Sequence, residues 1–477
     1  MMTHIPRPLY HFTPAQNFMN DPNGLVYYAG EYHLFYQHNP FENNWGHMSW
    51  GHAISRDLVR WEHLPVALYE ENGIMIFSGS AAVDWQNSSG FGTAAEPPMV
   101  AVYTGHSALQ TQNIAYSIDR GRTWTKYGGN PLIDIGSSEF RDPKVFWHAL
   151  SQQWIMLTVL ADQHKIRFDG STDLKHWSHL SDFGPAGMTD GLWECPDLFQ
   201  LAVDGQPDLK KWVLKVDVQN SIGAQCFIGE FDGKQFLNDA PDTTAYIRID
   251  YGKDFYAAQS WSDTLEERRI WIGWLANWDY ARLTPSSPWR GLFSIPRELH
   301  LQTSSDGLRL VQGPITELQR LRRAHFHSAG GELATLNARL AALNFGIAQE
   351  IKLEFTPGST GEFGIKIRMG AGEETIVGYN AETQTLCLDR THAGQHDFFP
   401  GFASLHQAPL VPQNGRIRLH IFVDSCSVEV FGNDGCTAIT GLIFPEPLST
   451  GVELISRAGN ADLIKLDIWQ LDPEGNS

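Results

Sequence analysis

Ser55-Arg56-Asp57-Leu58-Val59-Arg60-Trp61 is a polar turn followed by an aromatic, and the chain repeats its pattern of Ser, one residue, Asp, a short turn and Trp. The pattern returns as Ser117-Ile118-Asp119 with Trp124 and as Ser171-Thr172-Asp173 with Trp177; Glu230-Phe231-Asp232-Gly233 with Phe236 is a degenerate copy. In each copy the aromatic can plug the strand that follows the turn. Ahead of each copy lies an apolar run: Tyr32 to Gln37, Met99 to Thr104, Trp154 to Leu160 and Trp212 to Val218. A fifth run is Ile270 to Leu275, followed by Asn277-Trp278. Ahead of each run comes one more strand with a distinctive opening. These openings are Asn20-Asp21-Pro22, Phe77-Ser78-Gly79, Arg141-Asp142-Pro143, Glu194-Cys195-Pro196-Asp197 and Phe255-Tyr256-Ala257.

A unit of roughly 50 to 65 residues therefore recurs five times, near the blade size of radial β architectures. Closing five such sheets into a ring removes the free edges that a linear stack would expose. The expected fold is all-β: a five-bladed β-propeller over residues 1–312, then a β-sandwich over residues 330–477. Between them, residues 313–329 read as a linker in which Ile315 to Arg323 forms a short helix, with Leu318 and Leu321 on one side. Past residue 330 the pattern alternates, as in Ile351-Lys352-Leu353-Glu354-Phe355 and Ile417 to Val423, and Gly432-Asn433-Asp434-Gly435 reads as a hairpin turn.

Bulk properties narrow the function. The chain has 477 residues, more than one hydrophobic core usually holds. Its net charge of -19 argues against nucleic-acid or anionic-membrane partners. Five scattered cysteines without a CxxC pair read as reduced thiols, so no zinc site, metal or cofactor is expected. Met1 to Tyr10 has no apolar run of a signal peptide, and no apolar run is long enough to span a membrane. A cytoplasmic location is the resulting expectation. Sixteen tryptophans serve mostly the β-core, although sugar rings also offer C–H faces for stacking.

By itself Asn20-Asp21-Pro22-Asn23-Gly24 is an Asx-turn feeding a strand. Its recurrence as a blade opening changes the reading. In a propeller the first strand of each blade lines the central channel, so Asp21, Asp142 and Glu194 converge on one mouth. Crowded, partly desolvated carboxylates separate in pKa and leave one protonated near neutrality, which is what glycoside cleavage requires. Glu194, flanked by Trp193 and Cys195-Pro196, is expected to be the general acid because a low-polarity flank favours the neutral form. Asp21 on its rigid turn is expected to be the nucleophile. Asp142, next to Arg141, is expected to stay ionised and to hold sugar hydroxyls and cationic charge.

These boxes, with Tyr256-Ala257-Ala258-Gln259, Trp289-Arg290-Gly291, Ile295-Pro296-Arg297-Glu298-Leu299 and Ser427-Val428-Glu429-Val430-Phe431, resemble glycoside hydrolase family 32 across nearly the whole chain. That family comprises invertases, levanases, inulinases and related β-fructosidases. The resemblance implies the same propeller and sandwich and a retaining mechanism through a covalent fructosyl-enzyme. It assigns Asp21 as nucleophile, Asp142 as transition-state stabiliser and Glu194 as acid/base. Retention requires nucleophile and acid roughly 5–5.5 Å apart. The resemblance also maps sugar contacts onto Asn20, Gln37, Trp45, Phe77, Ser78, Arg141 and Trp289.

Ser78 to Asp84, with Asn87 and Ser89-Gly90-Phe91, resembles the exo-acting inulinase and levanase branch, as does Trp274 to Tyr280. The expected substrates are therefore β-fructans, fructo-oligosaccharides and sucrose. An invertase or a fructosyltransferase of the same family is the alternative, and a non-catalytic carbohydrate-binding propeller is the alternative of another class. His47 and His52 fall on opposite faces of a strand, which suits packing better than metal binding. Asn87-Ser88-Ser89 is a glycosylation sequon, relevant only outside the cytoplasm.

Overall fold

The structure is a computed structural model that describes residues 5–93, 95–221, 223–459 and 461–472. The outer ends of the two expected domains, residues 1–4 and 473–477, lie outside the described residues. Five four-stranded antiparallel blades form the N-terminal part; the first gains a fifth, parallel strand, and the fourth and fifth merge into one nine-stranded sheet through a parallel pair, Val203 with Leu301. Their innermost strands are Asn17–Tyr28, Met75–Val83, Phe140–His148, Trp193–Val203 and Tyr256–Ser260, one for each opening. Each inner strand packs against the next, and the fifth packs against the first, so the ring closes. The closure is stitched by the short strand Trp289–Arg290, which pairs in parallel with Asn17 and Phe18, and by backbone bonds between Leu25, Tyr27 and Ser262.

The repeated Ser-x-Asp turns join the third strand of a blade to its fourth. Asp57 Oδ1 accepts from the amides of Val59 (3.0 Å) and Arg60 (2.9 Å), and Asp173 Oδ1 from those of Lys175 (2.9 Å) and His176 (2.8 Å). Trp124 and Trp177 each return their indole N–H to a carbonyl of the turn, at 3.0 Å. A carboxylate thus satisfies turn amides that no strand could reach, and the aromatic body fills the space beyond.

The inner strands share a second feature. Each slips register at its opening: between Met19 and Pro22, Ile76 and Gly79, Arg141 and Lys144, Glu194 and Asp197, Tyr256 and Gln259. Asp142, Cys195 and Ala257 have positive φ there, at 61°, 51° and 52°. A β-bulge re-aims side chains and breaks strict alternation. Two consecutive residues of one strand, Asn20 with Asp21 or Arg141 with Asp142, therefore both line the same cavity.

The C-terminal part is a β-sandwich of a six-stranded and a five-stranded sheet. Ile351, Leu353, Phe355, Leu419 and Ile421 of one sheet meet Ile365, Ile367, Val377 and Leu388 of the other in a core. Residues 322–328, expected to be linker, are instead the edge strand Arg322–Ser328 of the six-stranded sheet, paired with Asp462–Leu471. The connector shrinks to a single 3₁₀ segment, Thr316–Leu321, whose Leu318 and Leu321 are buried. The described residues hold one α-helix, Leu333–Ala341, with Leu336 and Leu340 buried one turn apart. The alternating strands around it drew the sequence reading away from that helix.

Candidate active site

The blade openings surround a cavity of about 480 Å³ at one end of the ring. Asn20, Asp21, Gln37, Trp45, Phe77, Ser78, Arg141, Asp142 and Glu194 all line it. Trp289 does not. Its backbone pairs with Asn17, and its indole is 2% exposed with the Arg7 guanidinium 5.4 Å from its ring centre.

Asp21 sits on the first inner strand and is 8% exposed. Its Oδ1 accepts from Asn20 Nδ2 at 3.0 Å, and its Oδ2 from Ser78 Oγ at 2.6 Å. Burial pushes its pKa up, and the Glu194 charge adds to this, against the bonds from Ser78 and Asn20. Asp142 Oδ2 accepts from the Cys195 amide at 2.9 Å. One thiol spans both aspartates, since Cys195 Sγ lies 3.7 Å from Asp21 Oδ2 and 3.6 Å from Asp142 Oδ2. Burial and the neighbouring carboxylates push that thiol far above its ordinary pKa, so it serves as a donor and not as a thiolate.

Two expectations about charge need correction. Arg141 does not keep Asp142 ionised in the ordinary way: burial pushes the carboxyl up to about 7, with Arg141 opposing and Glu194 and Asp21 reinforcing. The reason is geometric. Arg141 Nε is 3.9 Å from Asp142, whereas Nε and Nη2 lie 3.2 and 3.1 Å from Glu194 Oε1 and Nη1 bonds Glu139. The adjacent arginine spends its hydrogen bonds on other acids. For the same reason the Glu194 carboxyl does not lie in a low-polarity flank. Arg141 holds one oxygen and the Tyr256 hydroxyl donates to the other, while Trp193 is wholly buried beneath.

Several groups escaped the sequence reading. Asp217 faces Glu194 across the strand pair and is buried with Lys215. Lys215 Nζ also donates to the carbonyls of Cys195 (3.0 Å) and Ala258 (2.8 Å), tying the floors of two blades together. Burial pushes Asp217 up to about 7, with Lys215 opposing. A lysine and an aspartate inside the otherwise apolar run Trp212 to Val218 were the available signal. At the rim, His106 stacks on Phe77 at 4.2 Å, and the Arg282 guanidinium lies 5.1 Å from Trp45 and 5.8 Å from Trp278. His106 ends the strand Met99–His106, and Trp45, Trp278 and Arg282 come from loops.

A bulged, acid-lined cup with aromatic walls, set at one end of a propeller, belongs to the class of carbohydrate-processing propellers. Two family models cover the chain in the same order: the glycosyl hydrolases family 32 N-terminal domain matches residues 11–314, and the family 32 C-terminal model matches residues 317–470. The chain belongs to glycoside hydrolase family 32 and is a glycoside hydrolase of the β-fructosidase kind. It is 50% identical to a levanase of Bacillus subtilis, over 98% of this chain and 70% of that protein. It is 39% identical to an extracellular exo-inulinase of Aspergillus niger, over 98% of this chain and 95% of the relative. The crystal structure of an exo-inulinase from Aspergillus awamori superposes with a TM-score of 0.91 at 37% identity, covering 98% of this chain and 99% of that one. A β-fructofuranosidase from Schwanniomyces occidentalis, solved with fructosyl-erythritol, superposes with a TM-score of 0.88 at 31% identity, covering 99% and 98%.

Proposed function

We propose that this enzyme is a retaining, exo-acting β-fructofuranosidase that removes terminal fructose from β-fructans, fructo-oligosaccharides and sucrose. The observation that carries the reading is that Asp21, Asp142 and Glu194 share one cup, with Cys195 touching both aspartates and Arg141 gripping the glutamate. Relatives whose names are levanase and exo-inulinase support fructans as the substrate class. A cup of about 480 Å³ falls in the size range of small-ligand sites and has room for the terminal residues of a sugar chain.

In this reading Glu194 gives its proton to the glycosidic oxygen as the bond to the anomeric carbon breaks. The Asp21 carboxylate bonds to that carbon, forming a fructosyl ester. Water, deprotonated by Glu194, then displaces Asp21 and releases fructose. Ser78 and Asn20 fix the nucleophile by bonding both of its oxygens. Asp142, held at its bulge by the Cys195 amide, faces the cationic character that develops in the ring. The Arg141 and Tyr256 bonds to Glu194 orient the acid and respond to each change in its protonation.

Purified protein is offered sucrose, inulin, levan and short fructo-oligosaccharides, and products are separated by chromatography. Free fructose alone from the polymers is expected; a ladder of oligomers would end the exo reading. Asp21→Asn is expected to lower kcat by roughly 10⁴-fold or more with folding intact, and Glu194→Gln by roughly 10²–10⁴-fold. Turnover unchanged in either variant would remove the assignment.

A further inference from the structure

Outside the cup, the sandwich carries a cluster that the hydrolytic reading does not use. His325 and His327 lie two residues apart on the edge strand Arg322–Ser328 and so project from one face. Across the ladder, His327 pairs in register with Asp467 of the last strand. His325 Nε2 is 2.8 Å and His327 Nδ1 is 2.9 Å from the same oxygen, Asp467 Oδ1. All three ligand atoms lie within 4.8 Å of one another.

We propose that His325, His327 and Asp467 bind one divalent transition-metal ion of the zinc class, clamping the first strand of the sandwich to its last. Bonds of about 2.1 Å in a tetrahedral zinc site set ligand atoms roughly 3.4 Å apart, so an ion enters if each imidazole–carboxylate distance opens by about half an ångström and the two ring nitrogens, now within 4.8 Å of each other, settle at the same spacing. Two imidazoles and one carboxylate suit zinc, copper or nickel and do not suit calcium or magnesium, which take oxygen ligands. The imidazoles are 41% and 49% exposed, which leaves the outer coordination position to water.

The surroundings hold the ligands in place. Trp469 stacks on His325 with ring centres 4.6 Å apart and planes 5° from parallel. Lys465 Nζ lies 2.9 Å from Asp467 Oδ2, fixing the carboxylate while leaving Oδ1 turned towards the histidines. Arg322, 4.0 Å from the Trp469 ring centre, has its charge answered by two bonds to Glu350 at 2.6 and 2.7 Å, which lowers its repulsion of a cation. Outer-shell contacts of this kind orient metal ligands and raise affinity.

The test uses untagged full-length protein stripped with chelator and titrated calorimetrically with zinc chloride. One ion per chain is expected, with a thermal midpoint raised by roughly 2–4 °C at saturation. Both effects should vanish in the His325→Asn/His327→Asn double variant, whose sucrose hydrolysis should match the parent. Binding seen only at millimolar zinc, an equal shift with magnesium chloride, or one-to-one binding retained in the double variant would each overturn the proposal.

Discussion

Two groups of buried acids in this molecule stand in opposite states. At the seam between propeller and sandwich, Glu429 accepts from Arg297 Nη2 at 2.5 Å, from the Ile295 amide at 2.7 Å and from His11 Nε2 at 3.0 Å. Asp424 accepts from His11 Nδ1 at 2.8 Å and from the amides of Leu9 (2.8 Å) and Tyr10 (3.1 Å). Burial pushes both carboxyls up, yet their partners outweigh it and hold both below the ordinary range. In the cup, burial wins: Asp21 is raised, and Asp142 and Asp217 reach about 7. Depth does not separate the two groups, because all of these side chains are inside the protein. The number of cationic and amide donors per carboxylate separates them. Acids that lock domains together are fully paired, whereas Asp21, Asp142 and Asp217 in the cup are left short of donors and Glu194 keeps Arg141 and Tyr256.

The comparison can be broken most strongly at Arg297, whose side chain is wholly buried against Glu429 and Asp250. Arg297→Met leaves Asp250 without its cation and Glu429 with His11 alone, and is expected to destabilise the protein by about 3–5 kcal/mol, measured by urea unfolding. Unchanged stability would show that the seam is not held by charge.

A smaller effect sharpens the same contrast. Burial alone would lower the His11 pKa, but its bonds to Asp424 and Glu429 raise it to about 9. A raised folded-state pKa gives stability that is complete below the unfolded value near 6.5 and is lost as pH climbs through 9. The linkage amounts to about 3 kcal/mol. His11→Asn is expected to flatten the fall in thermal midpoint between pH 6.5 and 9; a slope equal to the parent's would contradict the seam's electrostatics.

The Asp142 effect has the opposite sign. The Asp142 carboxyl, raised from 3.8 to about 7, is penalised by folding once it ionises: the penalty is absent below about pH 4 and complete above about pH 7. Asp142→Asn keeps an acceptor for the Cys195 amide and is expected to raise the thermal midpoint by a few degrees at pH 8 while lowering kcat. The stability gain should disappear near pH 4. A variant less stable than the parent at pH 8 would mean that Asp142 is better paired than its surroundings indicate.

Much of the propeller could be read from local chemistry. The Ser-x-Asp turns bond their own neighbours, so their meaning needs no tertiary partner. The apolar runs and the five openings mark strands for the same reason, and Arg141, Asp142 and Glu194 stand out as charges where a strand begins. Reading failed where a neighbour in sequence is not the partner in space. Arg141 beside Asp142 looked like an ion pair, but the bulge turns its guanidinium towards Glu194 and Glu139. Lys215 and Asp217 drew no reading as charges inside an apolar strand, and their role shows only once that strand pairs with the one that carries Glu194.

The sequence by itself determined which residues begin each blade, which turns join the strands and which acids are available, because those features rest on interactions within a few residues. The tertiary structure alone decided the proton affinity of each acid and which arginine serves it. Those properties depend on burial and on donors brought from other blades, and only ring closure and docking of the sandwich create them.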